Sequence, residues 1–299
     1  MNTYRTPNPT TVIEALSHIL VGASKTTMKQ YLKHGRVKLN GVVVKIPDTA
    51  IPSGAVVEIG TQSKLLTKKK APFQIVWEDP HIIVVIKPAG RLSSGEGIMR
   101  APTMHKLVET YVKEQGSGQR GAYVVHRLDK EVTGLLIFGK TEAIQEKLKK
   151  EWKHYKKRYI ALTEAKPPKQ EGTIDTWLAE WKQTMRVVPE TTSGALHAVS
   201  HYKYLRPEGE NHLLEVELET GKKNQIRIHL AHIGSHIVGD RKYGASDKVH
   251  TQVRLMAYQL EITHPITAKP HKWEIQPDTR FLNPEMEVRS KRPDTRNKK

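Results

Sequence analysis

The chain has 299 residues, no cysteine, and a formal net charge of +18 from 49 Lys and Arg against 31 Asp and Glu. Without cysteine it has no disulfide, thiolate nucleophile or Cys-ligated zinc, and no apolar run approaches the ~20 residues that cross a bilayer. The basic excess is spread over several segments, which points to a polyanionic partner, nucleic acid foremost. The opening, residues 1–9, is polar and broken by Pro7 and Pro9; it reads as a flexible arm with no signal peptide, which places the protein in the cytoplasm.

Thr11 with Glu14 three residues on forms a capping-box pattern, and Val12, Leu16, Ile19 and Leu20 follow at helical spacing. A second helix carries Met28, Tyr31 and Leu32 on one face, stops at Gly35, and leaves Lys25, Lys29 and Lys33 elsewhere. Asn40-Gly41 between alternating residues predicts a hairpin, and 55–59 predicts a further strand. Residues 10–60 therefore form a small α+β unit, and its basic helix, with Arg36 after it, suits a phosphate backbone. A charged helix face that is merely solvated is the plainer alternative. Residues 61–72, with Lys68, Lys69 and Lys70, lack an apolar period and read as a linker.

The larger unit, 73–283, opens with strands over 73–77 and 82–86 around the turn Glu78-Asp79-Pro80-His81, the second strand being apolar throughout and buried on both faces. Arg91 to Ala101 reads as a flexible loop, and 104–112 as a helix that ends near Gly116. Val124-Val125 and Leu135 to Phe138 are core strands on either side of a polar loop holding His126, Arg127, Asp129 and Lys130. After it, Thr141 caps a helix through Ile144 and Leu148 with lysines outside, and 156–162 is a strand. Alternation marks 214–218 as a strand, the period becomes helical over 225–233 with Arg227 off the core face, and strands follow at 254–257, 260–262 and 273–275. Residues 284–299 are a basic flexible tail.

Several chemistries lack their residues. His229, His232 and His236 are not completed by a carboxylate at a known metal spacing, and there is no G-x-S-x-G elbow, P-loop or G-x-G-x-x-G. Asp129 with Glu131 could form an acid–base pair, and Asp129 among cations could equally be a solvated turn.

His126-Arg127-Leu128-Asp129 followed by Gly134-Leu135-Leu136 and Lys140-Thr141 resembles the central motif of the RluA-type pseudouridine synthases. The likeness continues through Lys157-Arg158-Tyr159, through Leu218 to Leu230 with Arg227, and through Gly239-Asp240 with Tyr243-Gly244, and it takes in Lys87-Pro88-Ala89-Gly90 and His264-Pro265. Residues 10–60 are similar to the alpha-L RNA-binding domain often fused ahead of such enzymes. The resemblance implies an α/β fold of the α+β type: a mixed, largely antiparallel sheet with flanking helices behind a small RNA-binding domain. It implies a monomeric isomerase that converts uridine to pseudouridine in structured RNA, ribosomal RNA ahead of transfer RNA, with no metal or cofactor. It makes Asp129 the catalytic carboxylate, Arg227 the partner that holds it well below its free pKa, and Tyr159 the aromatic that stacks on the target base and is a candidate to assist removal of its C5 proton. It assigns substrate contacts to Arg127, His126, Asn224, Gln225 and Leu255, and RNA contacts to Lys25, Lys29, Lys33 and Arg36. Asn224 stands where the family commonly has histidine, the loop after Gly90 is more polar than usual, and Ser24-Lys25 replaces the usual Ser-Arg.

Overall fold

The structure is a computed structural model and describes residues 2–60, 71–95, 101–115, 121–182, 184–246 and 252–283. Most of the expected linker, the expected tail and part of the loop at 91–101 lie outside the described residues. The chain divides into two compact units, Met1–Lys70 and Ala71–Lys299.

The small unit runs β1 (Asn2–Arg5), β2 (Thr10–Thr11), α1 (Val12–Ile19), α2 (Lys25–Lys33), β3 (Val37–Leu39), β4 (Val42–Val43), β5 (Ala50–Ile51) and β6 (Val56–Ile59). Thr11 and Glu14 close the capping box, and Asn40 and Gly41, with φ of 48° and 81°, make the β3–β4 turn that needs two left-handed residues. Val12, Leu16, Met28 and Leu32 meet Val37, Ile51 and Val57 in one core. The expected N-terminal arm is corrected: Asn2–Arg5 is an edge strand antiparallel to β6, Asn2 opposite Ile59. That pairing ties one side of the strand's backbone to β6, and Thr6 Oγ1 donates to the Pro52 carbonyl at 2.8 Å, so polarity and Pro7 did not make the segment free.

The large unit contains β7 (Ile75–Glu78), β8 (Ile82–Lys87), α3 (Met104–Gln115), β9 (Tyr123–Val124), β10 (Thr133–Gly139), α4 (Glu142–Glu151), β11 (Lys156–Thr163), β12 (Glu171–Trp181), β13 (Thr184–Val188), β14 (Leu196–Glu208), β15 (Asn211–Leu218), α5 (Gln225–His232), β16 (Leu255–Thr263), β17 (Pro270–Glu274) and α6 (Thr279–Leu282). One sheet runs β13-β12-β14-β15-β11-β16-β10-β8-β7, with β17 beside β16 and β9 beside β10. The fold is α+β with a largely antiparallel sheet; β10 with β16 is the parallel pair among the described strands. Ile82 to Val85 are fully buried, as an all-apolar strand covered on both faces must be. Ala71 and Phe73 already pack on this unit's core, so the core reaches back into the expected linker. Strands β12, β13 and β14 were not anticipated, and the two separate strands expected over 254–262 are the single β16.

The parallel pair needs a close backbone approach at Gly134, which sits at φ +128°. A Cβ there would come within 2.6 Å of the Ala257 nitrogen and closer still to its carbonyl oxygen. Gly134→Ala is therefore expected to lower unfolding stability by about 2 kcal/mol or more. An unchanged denaturant midpoint would show that β10 and β16 can part without cost.

Candidate active site

The loop between β9 and β10 is pegged by three buried apolar side chains, Val125, Leu128 and Val132, so the polar residues between them are held at fixed positions. Buried Ser93 bridges both backbone groups of Leu128: its hydroxyl donates to the carbonyl at 2.7 Å and accepts from the N–H at 2.9 Å. On the other side of Asp129, the Lys130 carbonyl accepts from Gly90 N–H at 2.8 Å and from Lys87 Nζ at 3.2 Å. Lys87 is fully buried at the end of β8 and also donates to the carbonyls of Arg91 (2.7 Å) and Pro88 (3.1 Å). Burial pulls its pKa down to about 8, against the pull of Glu131 and Asp129. The loop carrying Asp129 is thus tied to β8 and to the segment after it on both sides of the carboxylate.

Asp129 opens onto a cleft of about 1180 Å³. The buried ring of Tyr159, set at a register shift in β11, and Leu255 at the start of β16 line it with Asp129. Exposed Arg127 projects from the same loop, and Lys149, Lys153, Lys222 and Lys242 contribute to the cleft's lining, a cation-rich surround suited to phosphates.

Arg227 lies in the first turn of α5 but is buried, against the expectation that it points off the core. The reason is Asp240, also buried: Arg227 Nε and Nη2 each donate to one of its oxygens at 2.7 Å in a bidentate pair. This fork leaves Nη1 to face Asp129 Oδ2 at 3.5 Å and Glu131 Oε2 at 3.4 Å. The sequence analysis included Asp240 in the resemblance without giving it a role; its signal was an acidic residue in the Gly239-Asp240 turn, with Gly239 at φ +78°.

Asn224, in the left-handed region at φ 57°, precedes α5. With its amide oriented to satisfy both neighbours, its nitrogen donates to Asp129 Oδ2 at 2.7 Å and Oδ1 at 3.1 Å, and its oxygen accepts from the Tyr243 hydroxyl at 2.7 Å. The Met185 N–H in turn donates to the Tyr243 oxygen. A chain of polar groups therefore runs from β13 to the carboxylate.

The electrostatic expectation for Asp129 is reversed. Burial raises its pKa and outweighs the attraction and hydrogen bond of Arg227, with Glu131 and Asp240 adding to the rise. The sign follows for pH dependence: a raised folded-state pKa means that the ionised carboxylate is lost on acidification at a pH above the ordinary 3.8. The acid limb of kcat/KM is expected above that value, and Arg227→Gln should move it further up. A limb at or below the ordinary aspartate range, or one that moves down in that variant, would contradict this assignment.

Two other expected contacts are relocated. Gln225 has all four hydrogen-bonding positions occupied by protein: Oε1 accepts from Thr220 Oγ1 and Lys222 N–H, and Nε2 donates to Val199 O and Ser200 Oγ. It fixes the start of α5 and has no capacity left for a substrate. His126 stacks on Trp152 at 4.3 Å, and its Nε2 accepts the Ile137 N–H at 3.3 Å. Burial and Lys157 push its pKa to about 3, so it is a neutral ring that braces the loop. His229 of α5 is also engaged in the scaffold, facing Thr176 at 3.0 Å and Ser200 at 2.9 Å, whereas His232 is exposed. In the small unit Lys25, Lys29 and Lys33 are exposed along α2, whereas Arg36 lies over the Tyr31 ring at 4.0 Å.

Residues 81–232 match the sequence profile of the RNA pseudouridylate synthases, and residues 14–57 match the S4 domain. The chain is 30% identical to ribosomal large subunit pseudouridine synthase D of Haemophilus influenzae, over 87% of this chain and 85% of that protein. It is 29% identical to the synthase D of Pasteurella multocida, over 90% and 88% respectively. Among solved structures, human RNA pseudouridylate synthase domain containing 4 superposes with a TM-score of 0.60 at 21% identity, covering 72% of this chain and 93% of that one.

Proposed function

This chain belongs to the RNA pseudouridylate synthase family, with an S4 domain toward its N-terminus, and from that membership we propose that it isomerises uridine in ribosomal RNA with Asp129 as the catalytic carboxylate. Asp129 starts breakage of the C1′–N1 bond, as nucleophile at the sugar carbon or as proton acceptor at the sugar. The freed uracil turns within the cleft, C5 bonds to C1′, the C5 proton leaves, and N1 gains a proton. Atoms balance without any external reagent, as an isomerisation requires. Arg227 keeps one cation against the carboxylate and favours its charged form. The Tyr159 phenol is held above its ordinary pKa by burial and by Asp129, so it stays protonated at neutral pH. It serves to stack on the base, and the C5 proton falls to another group, Asp129 being at hand.

The observation that carries this reading is the aim of Arg227: Asp240 locks two of its nitrogens, and the third faces the carboxylate on a cleft wall shared with Tyr159. Flipping the target into that cleft costs a few kcal/mol of unstacking, and Arg127, a planar cation lining the cleft, fills the vacated stack in this reading. Asn224 and Leu255 complete the substrate's surroundings, while Lys25, Lys29 and Lys33 hold RNA backbone. Ribosomal RNA is favoured over transfer RNA because the relatives above are named for the large ribosomal subunit. Mapping pseudouridine in all cellular RNA with and without the gene tests this. Sites lost only from ribosomal RNA are expected; loss only from transfer RNA, or no loss, would overturn the target.

A further inference from the structure

The hairpin of β12 and β13 is not accounted for by the catalytic groups, yet it abuts the cleft. Glu180 pairs with Lys223 of the cleft at 3.1 Å, and Met185 N–H donates to Tyr243, two hydrogen bonds from Asp129. The neighbours of those two residues, Trp181 and Arg186, point to the opposite pleat. Trp181 is 51% exposed at the end of β12, and the Arg186 guanidinium lies over its ring at 3.9 Å. The pair is on the terminal strands of the sheet, since β13 forms one end of the strand order. Along the same face, Trp177 stands beside His197 at 5.1 Å. The carboxylates there are occupied: Asp175 meets His197 at 2.6 Å and Glu219 meets His201 at 3.1 Å.

A large aromatic half-open to water, with a guanidinium on one face, offers little to a hydrophobic core and much to a nucleobase. Every base has a π-face, and stacking on an aromatic beside a cation is how single strands are held without sequence readout. We infer that Trp181 and Arg186 form a stacking platform for an unpaired base of the RNA substrate flanking the target uridine. The strand leaving the cleft passes the lysines at its edge, crosses the sheet edge, and lays a base on the indole while Arg186 meets its phosphate. This rests on the reading of the chain as an enzyme acting on RNA, and it adds a site for a nucleotide that is not itself modified.

The test uses the full-length protein with a short fluorescein-labelled oligouridylate and, separately, a duplex RNA of matched length. Trp181→Ala is expected to raise the Kd for the single strand about tenfold, Trp181→Phe to restore most of it, and both to leave duplex binding within twofold. Arg186→Gln should weaken single-strand binding and reduce its salt dependence. Should Trp181→Ala lose folded structure by circular dichroism, Trp181→Leu, which keeps apolar bulk without a π-face, takes its place with the same expected loss. Equal affinity of these variants and the parent for the single strand overturns the platform, and so does an equal loss on duplex RNA. Pseudouridine formation by the unaltered protein is scored separately, so failure of the catalytic reading is distinguishable from failure of this one.

Discussion

Asp129→Asn is expected to lose pseudouridine formation by a factor on the order of 10⁴ or more, the scale seen when an essential nucleophile or base is removed, while RNA affinity is kept. The substitution is isosteric, and the carboxylate sits on a loop fixed by Ser93 on one side and by Lys87 and Gly90 on the other, so the loop has no reason to move. Its positive rim and the S4 domain are untouched, which separates binding from chemistry. Product formed by the variant at more than about a thousandth of the parental rate would remove Asp129 from its role. Restoration of cellular function by Asp129→Ala would point to an assembly role for the protein on an inactive scaffold.

The second large effect concerns stability. Removing Asp240 as Asp240→Ala leaves the Arg227 guanidinium buried with two of its nitrogens unpartnered, and breaking such a buried pair costs about 3–5 kcal/mol. The expected result is a loss of that size in denaturant unfolding together with loss of activity, because nothing then aims the third nitrogen at Asp129. Replacing both partners by apolar residues, Arg227→Met with Asp240→Leu, should recover much of the stability and none of the activity. A cost below about 1 kcal/mol for Asp240→Ala would mean that water reaches the guanidinium and that the pair does not position it.

Local signals were legible wherever partner and residue are close in sequence. The capping box at Thr11 and Glu14, the Asn40-Gly41 turn and the buried run of β8 depend only on their own neighbours, and all are present. The loop of Asp129 was visible as polar residues between apolar strands. The burial of Arg227 was not, because periodicity alone turns a charge outward, and the Asp240 that reverses this lies 13 residues on. The pKa of Asp129 was read with the wrong sign for a related reason: a nearby cation was inferred, but burial of the carboxylate arises from the packing of distant strands. Strands β12 to β14 were missed because Thr176 and Ser200 take positions inside the sheet while Trp181, His197 and Leu196 take exposed ones, which blurs the apolar alternation.

The pairing of β1 with β6 has a consequence for where the small unit's chain can be opened. Asn2 lies opposite Ile59, so the backbone enters and leaves the unit at nearly one point. Closing such a fold onto a host chain requires almost no loop-closure entropy, and compact units whose ends meet tolerate transplantation and permutation. Joining residues 2 and 59 through a short peptide is therefore expected to permit new ends to be opened at the Asn40-Gly41 turn without the core being rebuilt.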